Sequence, residues 1–196
     1  MFRLFAILIG YGFGMIQFAY ILGKLQGIDI RDHGSGNSGA NNALRVMGVK
    51  KGLFVFFVDA SKCALAFFVA MSFFNDYGIL PGIYAGLGAV LGHCFPFYLK
   101  FKGGKGISCT VGLMIAINPF MGITIIAVGA SVLIFTRYVS LTSLIVTILL
   151  PFFLYLYNFL LEAIIVSIII AAICTYLHRG NISRLIKGTE RQLGKS

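Results

Sequence analysis

Three polar stretches interrupt a largely apolar sequence of 196 residues, and each carries groups suited to holding an anion. The first runs Asp32-His33-Gly34-Ser35-Gly36-Asn37-Ser38-Gly39-Ala40-Asn41-Asn42-Ala43-Leu44-Arg45. Its Gly and Ser residues let backbone N–H groups crowd around one point. A short helix is predicted to follow, stopped at Gly48, and its start adds a partial positive charge; together these make a phosphate cradle. Asn37, Asn41 and Arg45 recur every fourth residue and are expected on one helical face, with Ala40, Leu44 and Met47 on another. The second stretch runs from Gly92-His93 to Gly103-Gly104-Lys105-Gly106. Its glycines are expected to offer exposed N–H groups beside Lys105, with Lys102 close by, as a phosphate or carboxylate clamp at the start of another short helix. The third is the tail, where His178 and Asn181 share a face if the last span continues as a helix, with Arg184 and Glu190 beyond. Arg137, Tyr138 and Ser140 form a smaller fourth spot.

Several sharper motifs fail on inspection. Gly34, Gly36 and Gly39 match G-x-G-x-x-G, with Asp59 at the spacing of a ribose-binding acid, but the loop has no room for a βαβ unit and Asp59 lies in an apolar run. Leu99 and Gly106 break both ends of a nucleotide P-loop around Lys105. Plainer readings remain beside the anion-binding ones: a flexible loop with an interfacial helix, a basic loop that sets membrane orientation, and a polybasic lipid anchor in the tail. His93 reads better as a hydrogen-bonded packing residue than as a ligand. Asp59 and Lys62, three apart inside an apolar run, either neutralise each other or serve function. Cys63, Cys94, Cys109 and Cys174 form no C-x-x-C pair and read as small buried hydrophobes, so neither a disulfide nor a metal framework is implied.

The elements that must position these groups are membrane helices. With 59% hydrophobic and 11% charged residues, the chain does not describe a water-soluble domain, in which roughly a quarter of residues are charged. Seven apolar segments, about 2–22, 52–74, 80–99, 106–118, 119–136, 140–157 and 159–177, predict an all-α integral membrane protein forming one domain over 1–196, some spans short or broken. Asn118-Pro119 makes a tight turn between the fourth and fifth. The first segment lacks an A-x-A-like cleavage site and reads as a span. All of the 16 Lys and Arg residues except Arg3 and Lys62 fall in alternate gaps or the tail. That asymmetry predicts the N-terminus outside and the C-terminus cytoplasmic, with every polar stretch on the cytoplasmic side. The same placement argues against nucleic acid as the partner of the basic surplus. The Asn181-Ile-Ser183 glycosylation sequon then lies on the wrong side.

In this order the motifs resemble those of the acyl-phosphate:glycerol-3-phosphate acyltransferases, the PlsY family. Gly34-Ser35-Gly36-Asn37-x-Gly39-Ala40-x-Asn42, with Arg45 following, looks like the first family motif. Gly92-His93-x-Phe95-Pro96 running into Phe101-Lys102-Gly103-Gly104-Lys105-Gly106 looks like the second, and His178-x-x-Asn181-Ile182-x-Arg184-Leu185-x-x-Gly188-x-Glu190 like the third. Arg137-x-x-Ser140-Leu141 is similar to a further family feature. Asn41 departs from the pattern, standing where the family commonly has Thr. The resemblance implies an enzyme of the bacterial inner membrane that moves an acyl group from acyl phosphate to glycerol 3-phosphate, giving 1-acyl-glycerol 3-phosphate and phosphate. On that reading Ser35, Gly36, Asn37, Arg45, Lys105, His178 and Asn181 serve catalysis. Gly34, Gly39, Asn42, Lys102, Gly103, Gly104, Arg137, Ser140 and Arg184 hold the phosphates. An acyl phosphate is already activated, so neither cofactor nor metal is called for, and two phosphorylated substrates account for several anion clamps. The His-x-x-x-x-Asp signature of other glycerolipid acyltransferases is absent: Ser38, Tyr98 and Ser183 follow the three histidines at that spacing. A transporter of a phosphorylated solute is the alternative, although no internal repeat is visible and the motifs gather at one surface. A polybasic structural membrane protein is a third reading.

Overall fold

The computed structural model describes residues 1–194, and Lys195, counted above among the basic tail residues, lies outside them. Ten α-helices are described: α1 (Phe2–Gly14), α2 (Phe18–Leu25), α3 (Ala40–Met47), α4 (Val49–Phe73), α5 (Leu80–Cys94), α6 (Ile107–Ile117), α7 (Pro119–Thr136), α8 (Val139–Leu156), α9 (Leu161–Leu177) and α10 (Arg179–Ile186). Among the described residues no strand occurs. A hydrocarbon layer about 30 Å thick asks for roughly 20 helical residues. Five segments are long and apolar enough to cross it, namely 2–25, α4, 80–99, α7 and α8, or six if α9 and α10 count as one bent span. At 11 residues, α6 reaches only about 16 Å by the helical rise. Large apolar side chains such as Phe135 (87% exposed), Ile134 and Leu161 point outward. Such a surface suits lipid and not water.

Without a hydrophobic drive between helices in lipid, close contact depends on small residues that let backbones meet. The α1–α5 pair is built this way. A Cβ at Gly10 or Gly14 would stand 1.9 or 2.2 Å from the carbonyl oxygens of Ala85 and Ala89, and one at Gly88 or Gly92 would stand 2.1 or 2.3 Å from those of Ile7 and Tyr11. A similar approach joins α6 to α4, where Gly112 faces the Ala60 carbonyl.

The first apolar segment is not one straight helix. It breaks at Met15–Gln17, and the fully buried Gln17 fills the break, donating from Nε2 to the His93 carbonyl at 2.9 Å and accepting from Ser38 Oγ at 3.0 Å. At the end of the bundle far from the polar stretches, Arg3 pairs with Glu162 at 2.6 Å and Tyr84 donates to the same carboxylate at 2.7 Å, tying α1, α5 and α9 together. At the other end the loops 26–39 and 95–106, Arg137, α10 and the tail close over the bundle.

Candidate active site

The first polar loop is stapled from within. Asn42, 2% exposed, accepts the Ser35 N–H at 2.8 Å through Oδ1 and donates to the carbonyls of Ile30 and His33 at 2.9 and 3.0 Å. Each polar atom of its amide is thus engaged inside the protein, and Asn42 shapes the loop instead of presenting its side chain to a ligand. Gly34 and Gly36 hold positive φ of 65° and 70°, a region that favours glycine, which leaves Ser35 exposed at the crest. Helix α3 is flanked by Gly39 before its first residue and by Gly48 after its last, the φ of Gly48 being 88°. Asn37 lies before this helix, so it does not share a face with Asn41 and Arg45 as the fourfold spacing suggests. Its amide bridges two loops instead, accepting the Gly39 N–H and donating to the Gly103 carbonyl, at 3.0 and 2.9 Å.

The second loop corrects an expectation. The N–H groups of Gly103 and Gly104 are not free, because they donate to the carbonyls of Cys94 and His93 at 3.0 and 2.9 Å. These glycines permit close packing: a Cβ at Gly104 would sit 1.9 Å from His93 Nε2, and one at Gly103 2.0 Å from the His93 carbonyl oxygen. The loop therefore delivers one functional side chain, Lys105, just before α6 begins. Lys102 is exposed and lies away from the chamber described below.

The tail does not prolong the last span. At His178 the chain turns, and α10 runs 61° from α9. The buried His178 bonds through Nδ1 to the Cys174 carbonyl at 2.8 Å. A carbonyl only accepts, so Nδ1 carries the proton and Nε2 is left as an acceptor. Helix α10 brings Asn181 to Lys105: Nζ donates to Asn181 Oδ1, while Asn181 Nδ2 donates to Glu190 Oε1 at 2.7 Å. Glu190 also receives Arg184 Nε at 2.7 Å. Glu190 thus joins the site although motif reading gave it no role; its signal is that it is the sole carboxylate after Glu162 in a basic tail. The tail is pinned further along by Leu193, whose N–H donates to the Arg137 carbonyl at 2.7 Å. Arg137 takes part through that carbonyl, whereas its side chain is exposed and does not line the chamber.

These elements enclose one chamber of about 1010 Å³. Its polar half gathers Ser35, Asn37, Gly39, Lys105, His178 and Asn181. Its walls carry five cations, Arg45, Lys105, Arg179, Arg184 and Arg191, against one described carboxylate, Glu190. Burial, and then the Arg184 cation, pull the Lys105 ammonium below the ordinary lysine value. Ser140 Oγ is buried there without a hydrogen-bond partner among the described residues. The other half is apolar, lined by Leu53, Phe56, Ile125, Ile126, Leu133 and Val146 from α4, α7 and α8. One cavity thus offers a cationic end for phosphate and an apolar end for a hydrocarbon chain.

Fold and site together define an integral membrane protein whose cation-lined chamber opens into an apolar passage among its helices. A sequence model of the glycerol-3-phosphate acyltransferase family matches residues 4–188. The glycerol-3-phosphate acyltransferase of Alkaliphilus metalliredigens is 40% identical over 196 residues, covering 100% of this chain and 98% of its own. That of Aquifex aeolicus is 37% identical over 190 residues, covering 96% and 98%. Among solved structures, PlsY, an integral membrane glycerol 3-phosphate acyltransferase, superimposes in its glycerol 3-phosphate form with a TM-score of 0.90 at 36% identity, covering 98% of this chain and 96% of that one. The lysophosphatidic acid form gives 0.88 at 36% identity, covering 98% and 95%. The chain belongs to the glycerol-3-phosphate acyltransferase family and is an enzyme of that class.

Proposed function

We propose that the enzyme takes its acyl group from an acyl phosphate and places it on the sn-1 hydroxyl of glycerol 3-phosphate, releasing phosphate. The chamber's excess of four positive charges, set against an apolar half, is the observation that carries this reading. Phosphate oxygens meet Arg45, Lys105, Arg184 and the Ser35 loop, and the acyl chain lies between α4, α7 and α8. The hydroxyl oxygen forms a bond to the acyl carbon, the acyl–phosphate bond breaks, and the proton leaves with the phosphate. The departing oxygen's negative charge is met by cations already in place, the usual source of large rate enhancement. His178, with Nε2 as its free acceptor, orients a glycerol hydroxyl, while the donor's own phosphate oxygens take the proton. Side-by-side assays of purified protein with acyl phosphate, acyl-CoA and acyl carrier protein test the donor. Turnover with acyl phosphate and inert acyl-CoA is expected; acyl-CoA turnover independent of acyl phosphate refutes it.

The chamber faces the cytoplasm on this reading, in the inner membrane of a bacterium, with seven apolar segments and the N-terminus outside. The distribution of Lys and Arg supports that orientation. Single cysteines at the exposed Asn75 and Asn158 in a Cys-free background should react with an impermeant reagent from outside intact cells, and those at the exposed Lys50 and Ser183 should not. The reverse pattern inverts the topology.

A further inference from the structure

Directly behind the second polar loop lies a buried charged cluster that the reaction described above does not use. Asp59, Lys62 and His93 are 1%, 4% and 2% exposed. Around the Lys62 ammonium stand the Ile16 carbonyl at 2.6 Å, Asp59 Oδ1 at 2.7 Å and His93 Nδ1 at 3.0 Å. The ammonium makes hydrogen bonds to the Ile16 carbonyl and to His93 Nδ1, while Asp59 supplies the opposite charge, its two carboxylate oxygens having no hydrogen-bond partner among the described residues. Buried charges in a membrane helix are costly, and pairing Lys62 with Asp59 offsets much of that cost. An ion pair alone, however, does not call for a histidine as third partner.

The consequence for His93 is chemical. If Nδ1 accepts from Lys62, the ring proton of the neutral imidazole sits on Nε2. Nε2 has no hydrogen-bond partner among the described residues, lies against the α-carbon of Gly104, and belongs to a residue that lines the chamber beside Lys105. The His93 main chain is fixed as well, since its carbonyl accepts from Gln17 Nε2 and from the Gly104 N–H, both at 2.9 Å. Ring and backbone are both held, and the Nε2 side of the ring packs against Gly104 at the edge of the chamber that His93 lines.

We propose that His93 is a further substrate-binding residue, its Nε2–H donating to a substrate phosphate oxygen, with Lys62 and Asp59 as positioning residues that fix its tautomer. This rests on the chamber being the acyl-transfer site. A phosphate oxygen of either substrate fits, because both bring the same anionic group, and the kinetic arms below separate them. The arrangement complements that of His178. There a backbone carbonyl makes Nδ1 the donor and leaves Nε2 accepting; here a lysine makes Nδ1 the acceptor and leaves Nε2 donating. Two histidines with opposite tautomers present one acceptor and one donor to the same cavity, as a hydroxyl and a phosphate oxygen require.

The test combines kinetics with the ¹⁵N spectrum of histidine-labelled enzyme, the His93 signals being assigned by their loss in His93→Gln. His93→Phe keeps a ring but no donor and should raise KM for one or both of acyl phosphate and glycerol 3-phosphate by roughly 10- to 100-fold, as expected for a hydrogen bond to a charged group. His93→Gln, which retains an N–H in that region, should recover most of the loss. The substrate whose KM rises identifies the phosphate that is held. In wild-type enzyme His93 should show an unprotonated Nδ1 and a protonated Nε2, whose signal moves on titration with inorganic phosphate or glycerol 3-phosphate. The neutral-pair variant carrying Asp59→Asn and Lys62→Met should show mixed tautomers and an intermediate KM. A protonated Nδ1, a signal indifferent to each phosphate ligand, or equal KM in His93→Phe and wild type overturns the proposal. With three histidines in the chain, His33→Gln and His178→Gln assign the His93 signals by elimination, so a His93 variant that fails to fold does not leave the question open. Wild-type enzyme inactive with acyl phosphate would refute the donor assignment instead, leaving the tautomer measurement to stand alone.

Discussion

Asn181 spends its amide on two protein groups, accepting from Lys105 and donating to Glu190. Its part in acyl transfer should therefore run through Lys105. Asn181→Ala removes the acceptor that aims the ammonium and leaves Glu190 with the Arg184 contact. Hydrogen bonds to charged groups contribute about 1.5–3 kcal/mol, so the substitution should lower kcat/KM by roughly 10- to 100-fold. Lys105→Ala should cost as much or more, since the cation goes together with its contact. If the two act as one unit, Asn181→Ala adds little once Lys105 is gone. The double variant then resembles Lys105→Ala, with a coupling energy of about 1.5–3 kcal/mol. The assay is transfer to labelled glycerol 3-phosphate in detergent micelles over a range of concentrations of both substrates, with thermal unfolding as the folding control. Independent actions would multiply, putting the double variant roughly 10²- to 10⁴-fold below wild type. A loss of that size with unchanged unfolding refutes the bracing role and makes Asn181 a direct contact to substrate.

The Lys105 ammonium, held below the ordinary lysine value by burial and then by Arg184, should lose its proton earlier than a surface lysine as pH rises. KM should accordingly climb on the alkaline side. Lys105→Arg keeps its charge and should move that limb to higher pH; an unmoved limb assigns it to another group. His178→Asn preserves polarity without titrating, so it should raise KM for glycerol 3-phosphate while the acid limb survives, since a phosphate monoester itself titrates near about pH 6. Loss of that limb, with kcat down roughly 10³-fold at constant KM, would make His178 the general base. Gly88→Ala places a methyl 2.1 Å from the Ile7 carbonyl oxygen, whereas Gly12 has nothing within 4 Å. Overpacking should cost the first about 1–3 kcal/mol of stability and Gly12→Ala little, read as folded yield and unfolding temperature in detergent.

Much of this protein is local in the sequence and can be read there. Apolar runs of spanning length, the helix stop at Gly48 and the Asn118-Pro119 turn, where Asn118 Oδ1 caps α7 by accepting the Phe120 N–H at 2.9 Å, each depend on neighbours along the chain. The motif order around Ser35, Lys105 and His178 was likewise enough to point to the acyltransferase family. Side-chain partners were not legible, because they depend on residues distant in sequence. Asn37 meets Gly103 across 66 positions and Lys105 meets Asn181 across 76. Spacing alone therefore put Asn37 on a helix face and treated the Gly103 and Gly104 N–H groups as open, although the former bridges two loops and the latter are satisfied by Cys94 and His93. It likewise extended α9 through His178, where the helix turns by 61° so that α10 can carry Asn181 to Lys105. The amino-acid types determine which groups are able to bind phosphate. Only the tertiary structure decides which of them remain free to do so, because each buried donor or acceptor must find a partner and those that find one in the protein are no longer available to substrate.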